Sequence, residues 1–162
     1  MTHPAMETPS SQWNPKEMED EQIEFHTENV NFELANPDLL KSWIHALITA
    51  EQQALQHISF IFCSDDFLLD LNVQYLQHDT LTDIITFQYA KMPAALEGDI
   101  FISIDRVREN ATTFGVRFEE ELHRVMAHGV LHLCGYGDKT PDEKTRMTDK
   151  ENEALATRPH FD

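Results

Sequence analysis

Apolar positions between Ile23 and Leu34 alternate with polar ones: Ile23 and Phe25 in one phase, Val30, Phe32 and Leu34 in the other, with a break near Asn29. A period of two marks a strand with one buried face, so the segment reads as a first strand interrupted at Asn29. Then the period changes. Asn36-Pro37-Asp38 offers a cap, a proline at the first helical position and an acid in the first turn. Leu39, Leu40, Trp43, Leu47 and Ile48 follow on one helical stripe, and the helix is expected to reach about Gln53. Ile58 to Phe62 reads as a second strand, and Ser64-Asp65-Asp66 as the cap of a second helix reaching about Tyr75. Asp83 to Tyr89 and Asp99 to Ile104 read as the third and fourth strands. Asp105 to about Phe114 is a short helix. Phe118 to Cys134 is a longer one, acidic at its start and apolar through its second half. Thr140-Pro141-Asp142-Glu143 is a capping box that opens a charged helix to about Ala156. The mixture is that of an α+β domain, about four strands covered by about five helices, with the second half of the 118–134 helix inside it.

Composition narrows the class. The 162 residues suit one domain with a real core. A hydrophobic content of 41% with 25% charged residues speaks against a disordered or fibrous chain. No apolar run approaches the roughly 18 residues of a membrane span, and no basic-then-apolar leader opens the chain. Residues 1–22, with three prolines and the acids Glu17, Glu19, Asp20 and Glu21, are expected to form a flexible acidic tail, with Trp13 a tolerated lone aromatic. The domain is expected over 23–157 and a short C-terminal tail over 158–162. Cys63 and Cys134 lie in apolar stretches, as free buried thiols of a reducing cytoplasm do.

The candidate chemistry sits at the end of the long helix. His128 and His132 are four apart, hence neighbours on one helical face. Gly135 is suited to ending the helix in the left-handed conformation, and Gly137 to a second bend. Together they can swing Asp138 back over the histidines. Two imidazoles and a carboxylate suit one Zn²⁺ per chain with a fourth position open for water. The carboxylate is the harder ligand and also favours Mn²⁺ or Fe²⁺. The residue after His128 is Gly129, where a zincin carries its glutamate base, so a peptidase reading lacks that base. Cys134 lies about 200° around the helix from His132 and is expected to face away from the metal.

The stretch His128-Gly129-Val130-Leu131-His132-Leu133-Cys134-Gly135-Tyr136 resembles the signature of the YbeY family of bacterial rRNA maturation endoribonucleases. Leu71-Asn72 through Tyr75, Thr82 to Phe87, and Gly98 to Ser103 resemble its upstream blocks, so the likeness covers roughly residues 23 to 155. It implies a single-strand-specific, metal-dependent endoribonuclease acting late in 3′-end processing of small-subunit rRNA and in ribosome quality control. It also implies a cytoplasmic location, with the small ribosomal subunit and its assembly proteins as partners. Two departures stand out. The family's third ligand is normally histidine, with Asp before it, where this chain has Asp138 after Gly137. An arginine usually follows the tyrosine of the upstream block, where this chain has Leu76.

Charge complicates that expectation. Twelve basic against 29 acidic residues leave a net −17, and phosphate binding is normally driven by Lys and Arg. With Leu76 in place of the family's arginine, another cation is wanted for the anionic oxygens. Arg124, four residues before His128 on the same stripe, is the candidate catalytic cation; Lys139 is a weaker one. The alternative for Arg124 is a surface pair with Glu120 or Glu121. Asp83 reads either as a turn-making residue or as a support for a metal-binding histidine. Three functions stay open: the metal-dependent endoribonuclease, a metal-stabilised ribosome-assembly factor that binds without cutting, and another metallohydrolase. A non-haem iron oxygenase shares the ligand set but normally places it on a β-scaffold.

Overall fold

The computed structural model describes residues 22–76 and 82–159. The expected N-terminal tail falls outside it except for Gln22, Trp13 is outside, and so are residues 160–162 of the C-terminal tail. The elements are β1 (Ile23–Glu28), α1 (Pro37–Ala50), β2 (Leu55–Cys63), α2 (Asp65–Leu71) with a π-helical turn (Asn72–Leu76), β3 (Ile84–Ala90), β4 (Leu96–Ser103), α3 (Ile104–Phe114), α4 (Phe118–Leu133) and α5 (Pro141–Ala156). The strands form one mixed sheet in the order β1-β2-β4-β3. β1 and β4 flank β2 in parallel, and β3 runs antiparallel to β4. Four strands and five helices make the α+β domain that the hydrophobic pattern requires.

The strand sequences say which faces are covered. In β4 the side chains alternate, Ile100 and Ile102 buried and Asp99 and Phe101 half-buried. In β2 every residue from Ile58 to Cys63 is buried, as expected of an inner strand covered on both sides. The main core lies on one face, where Trp43, Ile44, Phe60, Ile100, Met126 and Val130 meet. A smaller cluster of Cys63, Leu68 and Ile85 lies on the other, beneath α2.

Several boundaries differ from expectation for local reasons. Asn29 takes φ 57° and ends β1, so Val30, Phe32 and Leu34 reach the core without a ladder. Asn36 is left-handed at φ 56° and makes no side-chain cap, so only the proline and acid signals apply to α1. Ser64 does cap α2, accepting from the Phe67 amide at 3.1 Å. Ser103 likewise accepts from the Arg106 amide at 3.0 Å, which assigns Ile104 to α3 rather than to the strand. Leu96 pairs with Leu55 and starts β4 earlier. Thr140 and Glu143 make both bonds of the capping box of α5.

Gly129 fixes how α4 meets the sheet. A Cβ there would stand 2.9 Å from side-chain atoms of both Ile84 and Ile100, so the helix lies directly on β3 and β4. A side chain at this position would have to displace Ile84 and Ile100.

Candidate metal centre

α4 places His128 and His132 on one face, with ring centroids 6.0 Å apart. The helix then stops abruptly. Gly135 takes φ 113°, its amide donates to the His132 carbonyl at 3.0 Å, and the Tyr136 amide donates to the Leu131 carbonyl at 3.1 Å. This paired closure satisfies the last carbonyls and turns the chain back. Gly137, the site expected for a second bend, does not take a positive φ. Its need is space, since a Cβ there would come within 2.6 Å of the Glu143 carboxylate.

The turn brings two acceptors to the histidines. His132 Nδ1 donates to the Tyr136 carbonyl at 2.8 Å; a carbonyl only accepts, so the ring's Nε2 is left with its lone pair. His128 Nδ1 donates to Glu151 of α5 at 2.7 Å, and its Nε2 lies 3.2 Å from the Asp138 carboxylate. Histidines that bind metals commonly have Nδ1 anchored and Nε2 left over in this way. In kind, two imidazole nitrogens and one carboxylate suit zinc. As the side chains stand, the described residues contain no group of three His, Cys, Asp or Glu gathered around one point; the contact present is that between His128 and Asp138.

Arg124 is brought to Glu151 rather than to Glu120 or Glu121. Its Nη1 donates to Glu151 at 2.9 Å and its Nη2 to Asn152 at 2.8 Å. Glu151 thus holds His128 with one oxygen and Arg124 with the other. Burial works against a charge on His128, but the Glu151 hydrogen bond and charge, backed by Asp138 and Asp83, hold its pKa above the ordinary histidine value. Lys139 has no ion pair among the described residues; its amide donates to Glu143 at 3.0 Å. The side chain of Leu76 lies outside the described residues.

Beside this network is a cavity of about 170 Å³ lined by Asp83, Glu121, Arg124, His128 and Glu151. Asp83 makes the turn into β3, its carbonyl accepting from the Ser103 amide at 3.0 Å. Its carboxylate receives Asn110 at 3.4 Å and has no hydrogen bond to either histidine. Burial raises its pKa. Glu121 is 5% exposed and its carboxylate has no hydrogen-bond donor among the described residues. Burial first, and Asp83 second, push its pKa up to about 7.

Sequence reasoning missed Glu151, the Tyr136 carbonyl and Glu121. A signal existed for Glu151: Met147, Glu151 and Ala154 form the buried stripe of α5, so an acid occupies a position with core spacing. Cys134 does face away from the histidines, lining a different cavity with Glu51 and Tyr136. Both cysteines are free thiols, Cys63 buried and Cys134 half-buried, and burial pushes both up to about 12. No helix among the described residues is long and apolar enough to cross a membrane.

Comparison with known proteins converges. The family model described as Endoribonuclease YbeY matches residues 22–158. A protein of that name from Amoebophilus asiaticus is 51% identical over 130 residues, covering 80% of this chain and 88% of the relative. Another, from Flavobacterium psychrophilum, is 49% identical over 133 residues, 82% of this chain and 94% of the relative. Among solved structures, the solution structure of TM1509 from Thermotoga maritima matches with a TM-score of 0.58 at 28% identity, covering 82% of this chain and 86% of that one.

Proposed function

The chain belongs to the Endoribonuclease YbeY family, and on that premise we propose that it is a metal-dependent endoribonuclease of rRNA maturation. It cuts single-stranded RNA in the cytoplasm, late in 3′-end processing of small-subunit rRNA and in ribosome quality control, alongside the small subunit and its assembly proteins. The observation that carries the reading is the pair of α4 histidines with both Nδ1 atoms anchored and Asp138 against Nε2 of His128.

His128, His132 and Asp138 would hold one zinc ion per chain, with Mn²⁺ or Fe²⁺ as alternatives that the carboxylate favours. When bound, the ion supplies Lewis acidity toward a phosphoryl oxygen and a more acidic water. The chain does the rest. Glu151 and the Tyr136 carbonyl fix the protons on Nδ1 of the two histidines and aim both Nε2 atoms outward. Arg124 orients Glu151 and, through it, His128. Gly129 lets the helix carry this pair directly above the sheet.

The charge of −17 favours a second reading, an assembly factor that binds the ribosome without cutting. Metal content by elemental mass spectrometry, with cleavage of a single-stranded oligoribonucleotide, separates the two. Wild type should carry about one zinc per chain and cut RNA; Asp138→Ala should lose both with its fold intact. Zinc retained by Asp138→Ala removes Asp138 from the ligand set. Ribosome association by a wild type that leaves RNA uncut moves the function to the assembly factor. Arg124→Ala with full activity ends any part for Arg124.

A further inference from the structure

The charge of this chain is unevenly placed. Residues 106–150 carry eight bases and eight acids, so the whole net −17 lies outside them. Five of the cations are committed to partners. Arg106 pairs with Asp65, Arg124 with Glu151, Lys150 with Glu51, and Arg117 with Glu119. Arg158 donates to the Leu155 carbonyl and reaches His123. Arg146 differs: it is exposed and has no carboxylate partner among the described residues. Its guanidinium lies 5.6 Å from the centroid of the Tyr136 ring, a seat that fixes a cation without neutralising it.

That seat is tied to the histidine site. The Tyr136 carbonyl is the acceptor of His132 Nδ1, and the Tyr136 hydroxyl donates to Glu51 at 2.7 Å. Lys150 also stands 5.5 Å from the ring centroid while bonding Glu51 at 3.0 Å. Arg146 and Tyr136 line a cavity of about 340 Å³ along Gly135 to Gly137, the turn between His132 and Asp138. Its two acids are already engaged, Glu51 by Tyr136 and Lys150, and Glu143 by the Lys139 and Thr140 amides at 3.0 Å each. An anion entering this cavity meets one uncommitted, pre-positioned guanidinium, a group whose planar fork matches phosphate oxygens.

We propose that Arg146 binds a backbone phosphate of single-stranded RNA in the cavity along the Gly135–Gly137 turn, supplying the local cation that an acidic chain needs. The inference rests on the endoribonuclease reading. It makes Arg146 a determinant of RNA affinity and leaves the chemistry at the histidines to other groups.

The test is binding of a fluorescent single-stranded oligoribonucleotide by anisotropy across a salt series, with cleavage rates, for the metal-loaded wild type, Arg146→Ala, Arg146→Lys and the control Lys91→Ala, an exposed cation that does not line this cavity. Arg146→Ala should bind about tenfold more weakly, and its log–log salt slope should shrink by about 0.7, the share of one phosphate on a single strand. KM should rise with kcat and metal content unchanged. Arg146→Lys should restore the slope, and Lys91→Ala should match wild type. Arg146→Ala binding like wild type with the same slope overturns the proposal, as does an equal loss in Lys91→Ala. A wild type that neither binds nor cuts RNA brings down the endoribonuclease reading itself. A wild type that cuts, beside an Arg146→Ala that cuts with the same KM, brings down this inference alone.

Discussion

Five residues apart on α4, His123 and His128 meet opposite electrostatic fates. Both are withdrawn from solvent by the same helix. His123 is 4% exposed, packs 5.9 Å from the Trp43 ring and has Arg158 Nη1 3.0 Å from its Nδ1. Burial first, and the Arg158 charge second, lower its pKa to about 4. His128 is half-buried, but its Nδ1 faces the Glu151 carboxylate and its pKa rises. Burial always disfavours the charged form of a histidine; the sign of the outcome is set by the partner. α4 therefore carries one histidine kept neutral for packing and one held in place by an acid.

The largest effect should come from taking away that acid. Glu151 is 8% exposed and answers both His128 and Arg124. Glu151→Ala should destabilise the protein by about 1–3 kcal/mol, the cost of leaving the half-buried Arg124 and His128 without their shared acceptor. It should also weaken metal binding by roughly 10–100-fold. Urea unfolding and chelator competition measure the two. Wild-type stability in Glu151→Ala would erase the difference between the histidines.

Next comes the pH dependence that His123 imposes. Its folded pKa is about 4, below the ordinary 6.5 of the unfolded chain. Between those values the unfolded state takes up a proton that the folded state refuses. Stability is therefore fully present above pH 6.5 and falls as pH drops toward 4, by on the order of 3 kcal/mol. His123→Gln should flatten that part of the pH profile in urea titrations, and an unchanged profile would mean that His123 protonates freely in the fold. The smallest effect belongs to Arg158→Ala. It removes only the second cause of the shift, so an NMR titration should find the His123 pKa moved upward yet still below 6.5.

The legible and illegible parts of the site divide along the same line. His128, His132 and Asp138 lie within one turn of helix and its closing loop, and spacing plus Gly135 bring them into view. Gly129 announces by its smallness that something presses on the helix, though only the sheet shows that Ile84 and Ile100 do. Glu151 was hidden because α5 is rich in acids, and the packing of α5 on α4 decides which one turns inward. Arg124 was visible as a cation on the histidine stripe, but its attachment to Glu151 and Asn152 depends on that same packing. Strand ends were the least readable, since caps such as Ser103 and a left-handed Asn29 override the hydrophobic period.

Tyr136 and its neighbours give the site a dependence on time as well as place. The three candidate ligands occupy a short span of chain, 128 to 138, yet the groups that steady them come from Glu51 and Glu151. Such long-range contacts close slowly, after local helices have formed. During synthesis the histidines therefore leave the ribosome before the carboxylate that orients His128. A nascent or truncated chain ending short of residue 151 holds the three candidate ligands and still lacks that orientation. The orientation of His128 thus waits on α5, made only after the candidate ligands themselves.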